Sequence, residues 1–456
     1  MKNGRSVAIV GFGVNNRPLV PYWLERGVPV VVADRRPQSE LERELESWPS
    51  DKLTLYAGPR YLDQLVEDDT VDIAYLTPGM VKHQAQLEEL VHRGVRLSSE
   101  TDLFLSQSRA PVLGVTGSAG KTTTTTLIGE ALAGSGKEVV VGGNIGRSLL
   151  PELEHLHPAM WAVMELSSFQ LELVERSPKG AVWLNLSPNH LDVHGSMQAY
   201  ARAKRHILEF QHADDDWAVL PYQDTSVLSV AADFGGRRYY VNLNGPVPQG
   251  AYLDQGKLWW RADPEHPAEP WLSADAVLLR GRHNLFNLLA AASAVVLAGG
   301  QLDAVAEVGR SFAGVPHRLE IVRTLNGVCY INDSIATAPD RTVAALDAIS
   351  GPTVLIAGGY DKHLDYEDFG RKVAQSHVRA VVLLGQTAEK IALALEKARA
   401  RCSVLRAENL ERAVELARAE AQNGDSVLLS PASASYDMFT NFEERGRRFR
   451  EIVGNL

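Results

Sequence analysis

The chain has 456 residues, 45% hydrophobic and 22% charged, with a formal net charge of −10. At roughly 150 residues per domain this is about three domains of ordinary globular composition, and an acidic balance without a long basic run excludes a protein held to nucleic acid by phosphate contacts. The two cysteines, Cys329 and Cys402, lie far apart and form neither a disulfide framework nor metal-ligand spacing.

The first apolar run, Val7 to Val14, is short and broken by glycine, so it reads as a strand rather than a signal peptide. No stretch approaches the roughly 20 apolar residues of a membrane span, and the expected location is a reducing cytoplasm. Strand-like runs then recur at Val7–Val10, Val28–Ala33, Ile73–Thr77, Val112–Val115, Trp161–Leu166, Ala181–Leu186, Thr353–Ala357, Ala380–Leu384 and Ser426–Leu429. Helix-like stretches separate them, which is the pattern of parallel sheets with covering helices, an α/β fold. Three units follow, 1–105, 106–314 and 315–456. The stretch Arg237 to Ala276 is rich in Pro, Gly, Trp and Tyr and reads as short antiparallel strands.

In the first unit, Gly11-Phe12-Gly13-Val14-Asn15-Asn16 follows a strand and Asp34 ends the next. This is similar to a dinucleotide fingerprint, with Asn16 in place of its third glycine, and a lone G-x-G is a weak signal. Arg35 and Arg36 are either phosphate partners or simply solvated.

The second unit opens with the strand Val112–Val115, running into Thr116-Gly117-Ser118-Ala119-Gly120-Lys121-Thr122 and then a helix-like stretch. Glycines let backbone N–H groups turn toward phosphate oxygens. Lys121 would meet the β- and γ-phosphates, and the Thr122 hydroxyl would bind Mg²⁺. The strict phosphate-loop pattern wants glycine at 115; this chain has Val115, with glycine one place earlier at Gly114. The run Thr122–Thr126 is poor helix sequence by propensity, a local conflict typical of a functional site.

Glu165, in Met164-Glu165-Leu166-Ser167-Ser168-Phe169-Gln170, and His190, in Asn185-Leu186-Ser187-Pro188-Asn189-His190-Leu191-Asp192, both end predicted strands. Ligands gather at the carboxyl ends of parallel strands, where a carboxylate and an imidazole can hold a divalent metal. Taken singly, Glu165 also reads as a helix cap and His190 as a turn residue. Lys204 follows on a helical stretch with Arg202 and Arg205, and by itself reads as part of a solvated basic face.

These motifs, with Gly142-Gly143-Asn144-Ile145-Gly146, Gly281-Arg282-His283-Asn284-Leu285-Phe286-Asn287, Pro316-His317-Arg318 and Ile331-Asn332-Asp333-Ser334, resemble the Mur ligases over nearly the whole chain and in the family's order. Ser430-Pro431-Ala432-Ser433-Ala434-Ser435-Tyr436-Asp437-Met438-Phe439, continuing through Phe442 to Gly446, looks like the member of the family that adds D-glutamate.

The resemblance implies an N-terminal Rossmann-like domain for the UDP end of the substrate. It implies a central P-loop ATPase-like parallel sheet, with a small antiparallel segment, for ATP and two Mg²⁺. A C-terminal Rossmann-like domain would bring the amino acid. ATP would meet Gly117, Ser118, Ala119, Gly120, Lys121, Thr122, Thr123, Asn284, Asn287, Arg318 and Asp333. Metal would be held by Thr122, Glu165, His190 and Lys204, the last carbamylated by CO₂, and Lys121, Glu165, His190 and Lys204 would carry catalysis. The UDP-substrate would lie against Val14, Asn15, Asp34, Arg35, Gly79, Asn144, Ser167 and Gln170, and D-glutamate against Thr337, Lys362, Ser435, Tyr436 and Phe442.

The implied reaction joins D-glutamate to UDP-N-acetylmuramoyl-L-alanine through an acyl phosphate, in peptidoglycan precursor synthesis. The expected enzyme is a monomer acting on small molecules, without nucleic acid or membrane as partner. Two positions depart from the family pattern. Ala119 stands where asparagine is usual, and Ile335 where lysine is usual, with Arg341 or Lys362 left to supply the missing charge. The competing readings are another Mur or folylpolyglutamate-type ligase, a catalytically idle nucleotide-binding homologue, and an NAD oxidoreductase.

Overall fold

The structure, a computed structural model, describes residues 5–145, 147–279, 281–349, 351–362 and 364–456. Gly146, in the Gly142–Gly146 motif, lies outside them. Two compact units emerge, Met1–Phe312 and Ala313–Leu456. Among the described residues no helix is long and apolar enough to cross a membrane.

The first unit contains two sheets. One comprises β1 (Ser6–Val10), β2 (Val30–Asp34), β3 (Leu53–Ala57), β4 (Val71–Leu76) and β5 (Arg96–Ser98), in the order β3-β2-β1-β4-β5. All four pairings are parallel. The other has β6 (Val112–Thr116), β7 (Val139–Gly143), β8 (Trp161–Glu165), β9 (Gly180–Trp183), β10 (Trp217–Pro221), β11 (Arg237–Asn242), β12 (Gly250–Asp254), β13 (Lys257–Arg261) and β14 (Glu269–Ser273). Their order is β14-β13-β12-β11-β10-β9-β6-β8-β7.

The antiparallel expectation for Arg237–Ala276 holds only in part. β11 pairs parallel with both β10 and β12, and the direction reverses only at β12-β13-β14. Turn residues flag where a strand ends but not which way its neighbour runs.

The second unit has β15 (Glu320–Leu325), β16 (Val328–Asn332), β17 (Thr353–Gly358), β18 (Val378–Leu384), β19 (Ser403–Arg406) and β20 (Ser426–Leu429), in the order β15-β16-β20-β17-β18-β19. All pairs are parallel except the edge hairpin β15-β16.

In each sheet the chain order changes direction at an inner strand. Connections leave that strand and its neighbours on opposite faces, which opens a crevice at their carboxyl ends. The crevices lie beyond β1 and β4, beyond β6, β8 and β9, and beyond β16, β20 and β17. Strands covered on both faces must be apolar throughout, and β1, β2, β6, β8, β9, β10 and β17 are buried end to end.

One fastening between the two sheets of the first unit puts a carboxyl out of reach of water. The helix Glu100–Gln107 is capped by Ser99, whose hydroxyl accepts from Asp102 N at 3.1 Å. Asp102 also accepts from Arg96 and Ser98 at 2.7 Å each and from Glu175 N at 3.0 Å. Glu100 is 5% exposed and accepts from the Ser148 hydroxyl of the central sheet's layer. Burial pushes its carboxyl up to about 7, partly offset by the hydrogen bonds from Ser148 and Thr101.

A raised folded-state value means that the contribution to stability is full below the unfolded pKa, near 4.5, and is lost as pH rises through about 7. Glu100→Gln removes the ionisation. It should match the wild type near pH 4.5 and exceed it at pH 8 by roughly 3 kcal/mol, read from unfolding curves at the two pH values. A constant gap would show that ionisation of Glu100 is not its source.

Candidate functional site

At the crevice beyond β1 and β4, Asn16 is fully buried. Its side-chain amide donates to Val10 O (3.3 Å), Gly11 O (3.1 Å) and Tyr75 O (3.3 Å). The residue in the third-glycine position therefore fills space and ties the two strands together. Asp34 accepts from Phe12 N at 2.6 Å and from Arg36 N at 2.9 Å, so its carboxylate is spent on holding the loop. Arg36 pairs with Asp34, Glu40 and Glu44, which settles it as an internal ion-pair residue. Arg35, Val14 and Gly79 are exposed at the crevice mouth and Asn15 is half-buried beside them.

Beyond β6 the loop 117–120 turns into the helix Lys121–Gly134, despite its threonines. Gly120 sits at φ 84°, and a Cβ there would come within 2.4 Å of Asn287 Oδ1, so only glycine allows this turn and this contact. The glycine displaced to position 114 has a packing reason. A Cβ at Gly114 would lie 2.8 Å from both Leu166 and Pro178, while Val115 is buried in the core. Asn287 is buried and its amide donates to Asn284 Oδ1 at 3.4 Å.

Lys121 Nζ donates to Gly117 O at 2.9 Å and Ser118 O at 3.4 Å. Lys204 is 1% exposed, which overturns its reading as part of a solvated face, whereas Arg202 is exposed. Its Nζ donates to Thr116 Oγ1 (3.2 Å) and Gly117 O (3.1 Å) and lies 4.8 Å from the Tyr200 ring centre. Burial drives its pKa well down; Lys121 pushes it further and Glu165 opposes. An amine so placed is held toward its neutral, nucleophilic form.

Glu165, the register partner of Val115, is 2% exposed. Asn144 donates to its Oε1 at 2.7 Å and to its backbone O at 2.8 Å. Its Oε2 is buried and has no hydrogen-bond partner. Leaving such an oxygen unmatched costs about 1–3 kcal/mol or more, and a bound cation would remove that cost. Among the described residues no three His, Cys, Asp or Glu side chains cluster to cage a metal. This donor set suits Mg²⁺, which takes one or two carboxylates and completes its shell with phosphate oxygens and water.

The cap reading of Glu165 fails, because Ser167 is the cap. Ser167 and Gln170 form a capping box (3.2 and 3.0 Å) on the helix Ser168–Leu171. His190 is exposed at φ 53°, heads the short helix Leu191–His194 and has the Phe169 ring 5.0 Å away. It is a turn residue in conformation, and that turn stands at the same sheet edge.

The second unit carries its own crevice. Asp333 is buried and accepts from Ser430 Oγ (2.7 Å) and Leu319 N (3.2 Å). Burial raises its pKa to about 6 against the pull of these bonds and of Arg318 and Arg341. Ser435 is buried, Tyr436 is 58% exposed, and Lys362 Nζ lies 5.7 Å from the Tyr436 ring centre. Phe442 opens the helix Phe442–Gly454, and its carbonyl accepts from Ser334 Oγ at 2.8 Å. Thr337 follows on the exit loop of β16, half-buried.

Against known proteins, residues 115–295 match the model of the Mur ligase middle domain, and residues 317–433 that of the Mur ligase glutamate ligase domain. A UDP-N-acetylmuramoylalanine–D-glutamate ligase of Symbiobacterium thermophilum is 44% identical over 98% of each chain. The chain belongs to the Mur ligase family. A second ligase of the same name, from Acetivibrio thermocellus, is 39% identical over 99% of this chain and 97% of its own. Among solved structures, a murein peptide ligase from Psychrobacter arcticus (TM-score 0.53, 16% identity) and a UDP-N-acetylmuramate-alanine ligase from Thermotoga maritima (TM-score 0.51, 17% identity) each align over 99% of both chains. They share the fold.

As a Mur ligase the chain has a phosphate loop held by residues that motif reading left unassigned. Asn185 accepts from Ala119 N at 2.9 Å and donates to Ala119 O at 3.1 Å, while its backbone O accepts from Ser118 N at 3.2 Å. Ser118 Oγ also bonds to Ser187 N and O (2.9 Å each) and to Tyr200 OH (3.1 Å). The N–H groups of Ser118 and Ala119 are therefore taken within the protein. The signal for Asn185 was its place after β9, at the sheet edge. His194, stacked 4.9 Å from Phe169 and bonded to Ser168 Oγ at 2.9 Å, was also missed.

At Ile335 the side chain is half-buried and the backbone N donates to His317 O at 3.1 Å. Arg341 acts electrostatically on both Asp333 and Lys362.

Asn185→Ala removes both side-chain bonds to residue 119. The expected result is ATP affinity lowered about 10- to 30-fold, from about 1 kcal/mol per bond, with affinity for the amino acid unchanged. Nucleotide titration by calorimetry checks it; unchanged ATP binding would leave the clamp without a role.

Proposed function

We infer that this chain is an ATP-dependent acid–amino-acid ligase, joining D-glutamate to UDP-N-acetylmuramoyl-L-alanine in peptidoglycan precursor synthesis. The observation that carries the reading is its 44% identity, end to end, with a ligase of that name. The site's chemistry supports it. A carboxylate and an ammonium do not condense unaided, so ATP phosphorylates the alanyl carboxylate to an acyl phosphate. The amine of D-glutamate then attacks the acyl carbon and inorganic phosphate leaves. Both steps gather negative charge, and catalysis is mainly positioning and electrostatic stabilisation.

In this reading Lys121 supplies positive charge to the β- and γ-phosphates. Gly120, Thr122 and Thr123 present the loop and the first helical turn to them, while Ser118 and Ala119 shape the loop rather than donate to phosphate. Asn284, Asn287, Arg318 and Asp333 are further proposed nucleotide contacts. Thr122, Glu165 and His190 would hold Mg²⁺, which supplies charge neutralisation on the phosphates. Two ions are proposed, the second requiring more negative charge than Glu165 alone provides. Lys204 is the proposed source. Its neutral amine adds to CO₂ and releases a proton, leaving a carbamate next to Glu165. The depressed pKa of Lys204 and the unmatched Glu165 Oε2 support this part.

Val14, Asn15, Arg35 and Gly79 line the proposed UDP end. Asp34, Asn144, Ser167 and Gln170 act behind it, holding the loop, the metal carboxylate and the helix cap. Thr337, Lys362, Ser435, Tyr436 and Phe442 are the proposed D-glutamate contacts. The functional division proposed is 1–105 for the UDP-substrate, 106–314 for ATP and metal, and 315–456 for the amino acid.

ADP release with UDP-N-acetylmuramoyl-L-alanine should be strong with D-glutamate and weak with L-glutamate or other amino acids. Turnover with a different amino acid and none with D-glutamate would refute the assignment. Lys121→Ala should lose about 10²- to 10³-fold in rate, the typical worth of one such donor. Lys204→Ala should be inactive and partly restored by added short carboxylates, whereas full activity without them would remove the carbamate.

A further inference from the structure

Arg445, on the helix Phe442–Gly454, is 2% exposed, and its guanidinium is held by neutral acceptors only. It donates to Ser334 Oγ (3.0 Å) and Ser334 O (2.9 Å), on the exit loop of β16. It also donates to Ser433 O and Ala434 O (3.1 Å each), on the exit loop of β20. Among the described residues no carboxylate lies within hydrogen-bonding distance of it; Asp437 acts on it from farther away. A buried charge without a close counter-ion is expensive. Burial pulls this arginine down to about 9, well below the usual guanidinium range.

The four bonds also have a geometric consequence. The segments they join carry the residues assigned to the amino acid: Ser435 follows Ser433 and Ala434, Thr337 follows Ser334, and Ser334 Oγ bonds to the Phe442 carbonyl. Ala432, at φ 56° and buried, starts the turn whose carbonyls point back at Arg445 and at the Tyr366 hydroxyl (3.3 Å from Ala432 O). A Tyr360–Ala434 backbone bridge joins the β17 exit loop, and with it Lys362, to the same turn.

We propose that Arg445 is a positioning residue of the D-glutamate site: it ties the exit loops of β16 and β20 together, and its buried positive charge is matched by a carboxylate of the incoming amino acid. The proposal rests on the ligase reading above. The cation attracts the substrate anion through one layer of loop rather than by direct contact, and the uncompensated charge is relieved on binding. No covalent step is assigned to it.

The test compares D-glutamate with its two monoamides, D-glutamine and D-isoglutamine, in wild type, Arg445→Met and Arg445→Lys, reading KM and kcat separately. Arg445→Met should raise KM for D-glutamate about tenfold, because a charge acting through a layer of loop is worth less than a direct charged hydrogen bond. It should also shrink the preference for D-glutamate over one of the monoamides about tenfold, leaving KM for ATP unchanged. Arg445→Lys keeps the charge and should keep that preference while KM rises through loss of the fork. An Arg445→Met enzyme that discriminates against both amides as the wild type does would overturn the proposal. If the Met variant does not fold, Arg445→Lys decides: an unchanged KM for D-glutamate overturns it. Wild type without turnover on D-glutamate would instead sink the ligase reading itself.

Discussion

Buried charge near the ends of parallel strands organises this molecule. At the edge of the central sheet Lys121 and Glu165 both act electrostatically on Lys204, and Lys204 and Glu165 are almost out of reach of water. Glu165 keeps one oxygen unmatched, and Lys204 finds a hydroxyl and a carbonyl instead of a close carboxylate. A protein selected only for stability would replace such groups with apolar ones. Their retention makes sense where ligands of opposite charge complete the set. The second unit repeats the theme with Arg445 and Asp333.

The fold supplies the place for this. Reversal of strand order leaves a crevice at each sheet's inner strands, and the loops leaving those strands are short and tightly bonded. The phosphate loop is stitched to the β9 exit by Asn185 and Ser187. The Asp34 carboxylate and the Asn16 amide hold the loop after β1. Several residues that a motif suggests as ligand contacts also hold neighbouring loops and side chains in place. Asp34, Asn144, Ser167 and Gln170 are of this kind. Their polar groups have partners inside the protein.

Much of the architecture was legible in the chain because apolar strands buried on both faces have a plain signature. The runs at 112–115, 353–357 and 426–429 fall within the strands observed. Short or edge strands were not legible: β5 has three residues and β19 is largely exposed, so neither needs a continuous apolar run. Direction was misjudged at β11, since turn residues do not encode the orientation of the next neighbour. Lys204 shows the same limit. Arg202 and Arg205 beside it suggested a solvated face, but a helix turns about 100° per residue, which places Arg202 in solvent and Lys204 inside.

The sequence by itself determined the α/β class, the order of the motifs, the phosphate loop and the family they resemble, because glycine, lysine and strand patterns act locally. Only the tertiary structure decided which polar groups are paired and which are left with charge or lone pairs unmatched. It put Asn185 against residue 119, Asn144 against Glu165, and Arg445 behind the loop that carries Ser435. These pairs are separated by 66, 21 and 10–12 residues. The reason is physical: burial and hydrogen-bond satisfaction depend on distances across the fold, and no local pattern of residue types records them.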